Sequence, residues 1–144
     1  MDDPIEIHEG SWAELGDQAG EIRRVVFIEE QQVPLEEEWD GRDDACRHFL
    51  ALRGEAPLGT ARLLPDGHIG RVAVLREARG LGVGAALMRA AIEAAHRLGH
   101  DRVELAAQTH ALAFYENLGF VAFGEVFLDA GIPHRNMRLT LKDR

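Results

Sequence analysis

The chain has 144 residues, 46% of them hydrophobic and 28% charged, which fits one folded domain over residues 1–144 with room for a proper core. Sixteen Lys and Arg against 25 Asp and Glu leave a net charge of −9, which argues against nucleic-acid binding through basic patches and is compatible with a cationic or amine partner. The single Cys46 excludes an internal disulfide framework, the acidic start MDDPIEIHEG lacks the blocks of a signal peptide, and no apolar run nears the ~18 residues of a membrane span, so a cytoplasmic protein without a membrane partner is expected.

In chain order, PIEIH alternates apolar and polar residues and predicts a first strand. Ser11 and Glu14 form an S-x-x-E capping box that opens a helical turn. From about Asp17 to Gln32, Ile22, Val25, Val26 and Ile28 supply an apolar helical face, stopped by Pro34. The acidic, irregular stretch EEQQVPLEEEWDGRDDA follows. RHFLALRG and APLGTARLLPDG predict two strands joined around Gly54 and Glu55, and PDG turns the chain into a third, HIGRVAV.

REARGLGVGAALMRAA then leads into a helix. Its face carries Leu87, Met88, Ala91, Ala94, Ala95 and Leu98, with Gly99 at C′ and His96 and Arg97 in the last turn. DRVELAAQ predicts a buried strand, and Thr109 to Leu118 a short helix stopped by Gly119. FVAFGEVF and NMRLTLK close the chain. In the latter, Met137, Leu139 and Leu141 alternate with Arg138, Thr140 and Lys142, as in a half-buried strand. The order β-α-β-β-β-α-β-α-β-β is that of a mixed α/β (α+β) layer structure.

Gly80, Gly82 and Gly84, placed directly before a helix, cost about 1 kcal/mol each relative to alanine. A strand, a glycine loop and a helix N-terminus together make an anion site, because free amides point outward and the dipole favours negative charge. Arg79 can add a charge-assisted bond to a phosphate. No Lys or Ser/Thr follows Gly84, which excludes a Walker A loop. Gly80, Gly82 and Ala85 meet G-x-G-x-x-G/A formally, but several antiparallel strands precede them and Glu104 sits inside the next strand, against the dinucleotide layout. The glycines alone leave nucleotide versus coenzyme open.

With Arg79, Gly82 and Gly84, the chain matches the [RQ]-x-x-G-x-[GA] pattern of the GNAT (Gcn5-related) N-acetyltransferases, which it resembles over most of its length. AQTHALAFYENLGF is similar to the family's region ending in a tyrosine and GF. RRVVFIEEQQVP and GIPHRNMRL resemble small bacterial members of the ElaA/YjcF type. The resemblance implies a mostly antiparallel sheet flanked by helices and acetyl-CoA as donor. Arg79 with Gly80, Leu81, Gly82, Val83, Gly84 and Ala85 would hold the pyrophosphate, and Val72, Ala73 and Val74 would run beside the pantetheine. Gln108 stands where the family often has an asparagine that contacts that arm. It further implies direct transfer to a primary amine of a small molecule or peptide, with no metal, and leaves a homodimer open. A non-catalytic acyl-CoA-binding or sensing domain is the alternative.

Acyl transfer to an amine needs a neutral nucleophile, an oxyanion stabiliser and a proton for the departing thiolate. Tyr115, the one tyrosine, is the acid that the resemblance implies. No residue stands out as the general base. His48, His110, His134 in a GIPH turn near the last strand, and Glu30 or an acidic-loop carboxylate acting through water are candidates, and Glu30, Trp39, His48 and His134 are expected on the acceptor side. The acidic stretch from Glu29 to Asp44, with eight carboxylates and one arginine, reads either as a solvated loop or as a rim that attracts an amine. Cys46 is expected to be a small buried residue.

Overall fold

The computed structural model describes residues 3–141; Met1, Asp2 and residues 142–144 lie outside the described residues, and with them Lys142, the last position of the expected closing strand. Strands β1 (Ile5–Gly10), β2 (Arg47–Arg53), β3 (Ala56–Leu63) and β4 (Ile69–Val74) pair in that order as an antiparallel sheet. Strands β5 (Arg102–Gln108), β7 (Ile132–Thr140) and β6 (Val121–Asp129) form a second antiparallel sheet in the order β5-β7-β6. The predicted order of elements is the observed one apart from a short helical turn in the acidic stretch, but the strands divide into two sheets. Among the described residues the sheets are joined by one parallel bridge, His68 to Glu104.

The capping box forms as predicted: the Ser11 hydroxyl accepts from the Glu14 amide at 3.2 Å, and Glu14 accepts from the Ser11 amide at 2.8 Å. It caps the main helix itself, α1 (Trp12–Arg23), which continues as a π-helical segment over Arg24–Glu30. The helix therefore begins before Asp17 and ends short of Pro34, at the point where Gln32 turns to a φ of 60°. The acidic stretch contains a single helical turn, α2 (Leu35–Glu38), and a 3-10 turn, Asp43–Ala45.

Alternation along β2 explains why its apolar run is buried throughout. Phe49 and Ala51 face helix α3 (Val83–Arg97), together with Ala61 and Leu63 of β3. Leu50 faces the opposite side with Ile22 and Val26 of the first helix and Ala73 of β4. A first sheet covered on both faces by helices is thus set by period-2 alternation meeting two helical stripes. The α3 face is as predicted except for Leu98, which lies past the last helical turn at the C-cap and is 55% exposed. The His100 amide donates to Ala95 and the Gly99 amide to His96, closing a Schellman cap.

The last two strands form a hairpin whose tight turn is Ala130–Gly131, at φ 53° and 77°. His134, read from the sequence as part of a GIPH turn, is therefore the third residue of β7. A short helix α4 (Leu112–Glu116), entered through a 3-10 turn at Thr109–Ala111, connects β5 to this hairpin. No helix among the described residues is long and apolar enough to cross a membrane.

Gly59 fixes how closely α3 sits on the first sheet. A Cβ there would lie 2.9 Å from the Ala73 carbonyl oxygen, 3.0 Å from Leu87 Cδ1 and 3.1 Å from Val83 Cγ1. Gly59→Ala is expected to lower stability by about 1–3 kcal/mol through overpacking, read by urea or thermal unfolding. Unaltered stability would mean that helix and sheet part freely at this point.

Candidate functional site

The site begins with a defect in β4. Thr60 pairs with Ala73 and Arg62 with Gly70, so Ala61 faces two residues, Arg71 and Val72. This is a β-bulge, and Arg71 adopts a φ of 50° to make it. Such a conformation costs of order 1–3 kcal/mol and persists only where its surroundings impose it. They do so here through the Arg71 guanidinium, which donates to the Glu37 and Glu38 carbonyls at 3.2 and 3.1 Å and to Asp40 at 3.3 Å.

Beyond the His68–Glu104 bridge no further ladder joins β4 to β5 among the described residues, and a cavity of about 950 Å³ opens between them. Ile69 to Val74 form one wall and Leu105, Ala106 and Gln108 the other. The π-helical segment contributes Val26, Phe27 and Glu30, with Gln31 next to it, and Tyr115 and His134 are among the other residues of the lining. The Leu75 amide donates to the Leu58 carbonyl at 2.9 Å. By antiparallel alternation, the Val74 amide and carbonyl then face away from β3, toward the open edge.

The glycine loop adjoins this wall. Gly80 and Gly82 have φ of 84° and 81°, a conformation that side chains resist, and open space lies where a Cβ would be on either. Gly82 is the N-cap of α3 and supplies no side-chain cap. The first bond into the helix runs from the Ala86 amide to the Gly82 carbonyl, which leaves the amides of Val83, Gly84 and Ala85 without a described acceptor. Gly84 serves packing instead: its Cβ would meet Phe114 Cζ at 3.3 Å. Leu81 is exposed at the loop tip.

Two expected donor-binding residues are engaged elsewhere. Arg79 donates to both Glu30 carboxylate oxygens at 2.8 Å and to the Val74 carbonyl at 3.0 Å. These bonds hold the Glu30 carboxyl below its ordinary range. The Gln108 amide donates to Gln31 Oε1 at 2.9 Å, and its own oxygen lies 2.7 Å from His110 Nε2. Consecutive residues, Glu30 and Gln31, thus tie together both walls of the cleft.

Tyr115 packs edge-to-face on Phe114 and Phe120, with ring centroids 4.9 and 6.0 Å apart. Burial alone pushes its pKa up to about 12, so the phenol keeps its proton at neutral pH. His134 is buried against Phe127, with Nδ1 2.7 Å from the Ile132 carbonyl.

Residues 19–141 match the family model described as an acetyltransferase (GNAT) domain. The chain belongs to the GNAT family. YjcF of Bacillus subtilis (strain 168), named as an uncharacterized N-acetyltransferase, is 41% identical over 120 residues, covering 81% of this chain and 86% of that protein. An acyl-CoA N-acyltransferase from Pseudomonas aeruginosa is 38% identical with a TM-score of 0.82, covering 94% of this chain and 99% of that one. Escherichia coli ElaA is 33% identical at the same TM-score and the same coverage. This GNAT protein is an acyl-CoA-dependent acetyltransferase, the class to which the family model and the names of YjcF and the Pseudomonas aeruginosa protein point.

In this GNAT protein much of the acidic stretch turns inward. Arg23, 1% exposed, donates from Nε to Glu38 at 2.6 Å and from Nη1 to Asp43 at 2.7 Å. Arg62 donates to Asp43 at 3.0 Å and to Asp40 at 2.6 Å. Three of the eight carboxylates therefore neutralise Arg23, Arg62 and Arg71, and a fourth, Glu30, neutralises Arg79, which corrects both the solvated-loop and the amine-attracting readings for these four. Trp39 is packed by the same network, with the Arg23 guanidinium 4.9 Å from its ring, and does not line the cavity. His48 does not line it either. It is 1% exposed, packs tilted against Trp12 with ring centroids 4.8 Å apart and lies 2.9 Å from the Asp43 carbonyl, and its burial pushes its pKa down. Cys46 is buried as expected, its Sγ 3.2 Å from the Arg42 carbonyl, and burial raises its pKa.

The sequence reading missed Arg23, Arg62, Arg71 and Gln31. Arg23 had a signal: with Ala19, Ile22 and Val26 it falls on the apolar stripe of the helix, where an unpaired charge is not tolerated.

Arg23→Met would leave Glu38 with Arg71 alone and Asp43 with Arg62 alone, one negative charge in excess in the network, and a loss of about 3–5 kcal/mol is expected by denaturant unfolding. A second prediction concerns pH. The bonds from Arg62 hold the Asp40 carboxyl well below the usual range. Its stabilisation is therefore full above the ordinary aspartate value of about 3.9 and is lost as pH falls below it. Asp40→Asn should be less stable than the wild type at neutral pH, with the gap narrowing under acid. A gap constant down the whole acid range would contradict the assignment.

Proposed function

We propose that the chain is a single acyltransferase domain that moves the acetyl group of acetyl-CoA to a primary amine of a small molecule or peptide by direct transfer. The observation that carries this reading is the cleft between β4 and β5, which adjoins an uncapped helix N-terminus whose first amides have no described acceptor. A diphosphate fits there: the loop is bare at Gly80 and Gly82, and the fifteen-residue α3 directs its dipole outward.

In this reading the amides of Val83, Gly84 and Ala85 would hold the pyrophosphate, joined by Arg79 once it leaves Glu30. The exposed edge of Val72, Ala73 and Val74 would run alongside the pantetheine, and the Gln108 amide would bond it after exchanging Gln31 for this ligand. Acetyl-CoA supplies an activated acyl thioester. Tyr115 holds a proton on its phenolic oxygen, in an apolar setting, for the departing thiolate.

Calorimetric titration should detect acetyl-CoA and CoA, with NAD and ATP as silent controls. Binding of NAD or ATP but not of the CoA compounds would overturn the reading. With small amines, polyamines and lysine peptides as acceptors, Tyr115→Phe should keep donor affinity while kcat falls by roughly 10²–10⁴-fold. An unaltered kcat would remove Tyr115 from the chemistry.

A further inference from the structure

We propose that His134 is the general base of the transfer, acting through Nε2, an assignment that rests on the acetyltransferase reading above. Glu30 and the other histidines here are engaged or exposed, and Glu37 and Asp129, which also line the cavity, are solvent-exposed. Glu30 has both oxygens on Arg79. His110 has its Nε2 on the Gln108 oxygen and its Nδ1 open among the described residues, but the residue is exposed and its tether is the Gln108 side chain, which changes partner in the donor-bound reading. His68 lies between two carboxylates, Nδ1 3.1 Å from Asp66 and Nε2 3.7 Å from Glu104. His48 is outside the cavity, with its Nε2 on the Asp43 carbonyl.

His134 is held differently. A carbonyl oxygen can only accept, so the 2.7 Å contact with Ile132 places the proton on Nδ1 and leaves a lone pair on Nε2. Nε2 has no partner among the described residues, and the residue lines the cavity while only 8% exposed. The ring cannot swing freely, since Phe127 stacks on it at 5.9 Å and 24° and its strand is paired on both sides, opposite Gln108 and opposite Phe127. An orienting bond on one nitrogen and an open lone pair on the other is the arrangement that makes an imidazole a base.

The protons balance. As the amine nitrogen bonds to the acetyl carbon, Nε2 takes the proton that this nitrogen loses. The carbon–sulfur bond breaks, the electron pair goes to sulfur, and the Tyr115 phenol protonates it. Solvent then returns the proton from imidazolium to phenolate. Besides Glu30, His68, His110 and the ion-paired arginines and carboxylates described above, the charged or titratable residues that line the cavity include Glu37 from α2, Arg42, Asp66, Tyr115 from α4 and Asp129 from β6.

Nitrogen NMR of histidine-labelled protein gives a readout without turnover. His134 should appear as the Nδ1–H tautomer, and an Nε2–H tautomer overturns the proposal whatever the activity. His134→Asn keeps a donor for Ile132 and removes the base. It should retain its melting temperature and acetyl-CoA affinity while kcat for a wild-type substrate, such as benzylamine or spermidine, falls by ~100-fold or more. The deficit should shrink at high pH, where the amine deprotonates unaided. A wild-type kcat in a variant that binds acetyl-CoA removes His134 and leaves the acetyltransferase reading intact; a wild type that fails to bind acetyl-CoA removes that reading first. Should the asparagine variant not fold, His134→Gln and the tautomer still decide.

Discussion

Among the described residues a single parallel bridge, from His68 just before β4 to Glu104 of β5, joins these neighbours before they separate, and the site depends on that separation. Strands that continued as a ladder would close the cavity and satisfy the edge of Val74 with protein. The bulge at Arg71 and Val72 lies where the strands part, and the strained Arg71 is kept there by Glu38, Asp40 and the carbonyl of Glu37. A side-chain network on one surface of the sheet thus sustains a backbone irregularity that leaves hydrogen-bonding groups facing a ligand-sized space.

That network is costly by itself. Its buried ions, Arg23, Arg62, Glu38 and Asp43, each lose several kcal/mol of hydration and recover it only through close geometry, while the half-buried Arg71 and the exposed Asp40 complete the charge balance. What it achieves is placement. Arg23 is clasped by Glu38 and Asp43 and lies over Trp39, so α1, α2 and the Asp43–Ala45 turn are locked to one another. Their common position sets the π-helical end where Glu30 and Gln31 reach across the cleft. Neither Arg79 nor Gln108 can contact anything new without giving up its bond to one of these two residues.

Much of the fold was readable because its signals are local. The capping box, the α3 stripe, the glycine loop and the strand order all arise from residues within a few positions of one another. The site was half readable. The loop and Tyr115 stand in short motifs, whereas Arg79 and Glu30 are 49 positions apart and no periodicity joins them. His134 was misplaced because Gly131 and Pro133 are strong turn signals. Pro133 is tolerated because β5 pairs with β7 only as far as His134, so on that side Pro133 has no ladder bond to lose. His48 was attractive by residue type and sits one alternation step from Phe49, but its face of the strand is covered by Trp12 rather than open to the cleft.

The central claim is that the cleft between β4 and β5 and the bare start of α3 form one continuous donor site. A crystal structure with CoA bound tests it most directly. The account predicts the diphosphate on the amides of Val83 to Ala85, the pantetheine along the Val74 edge, and Arg79 released from Glu30. CoA bound elsewhere, with the Arg79–Glu30 pair intact, would contradict it.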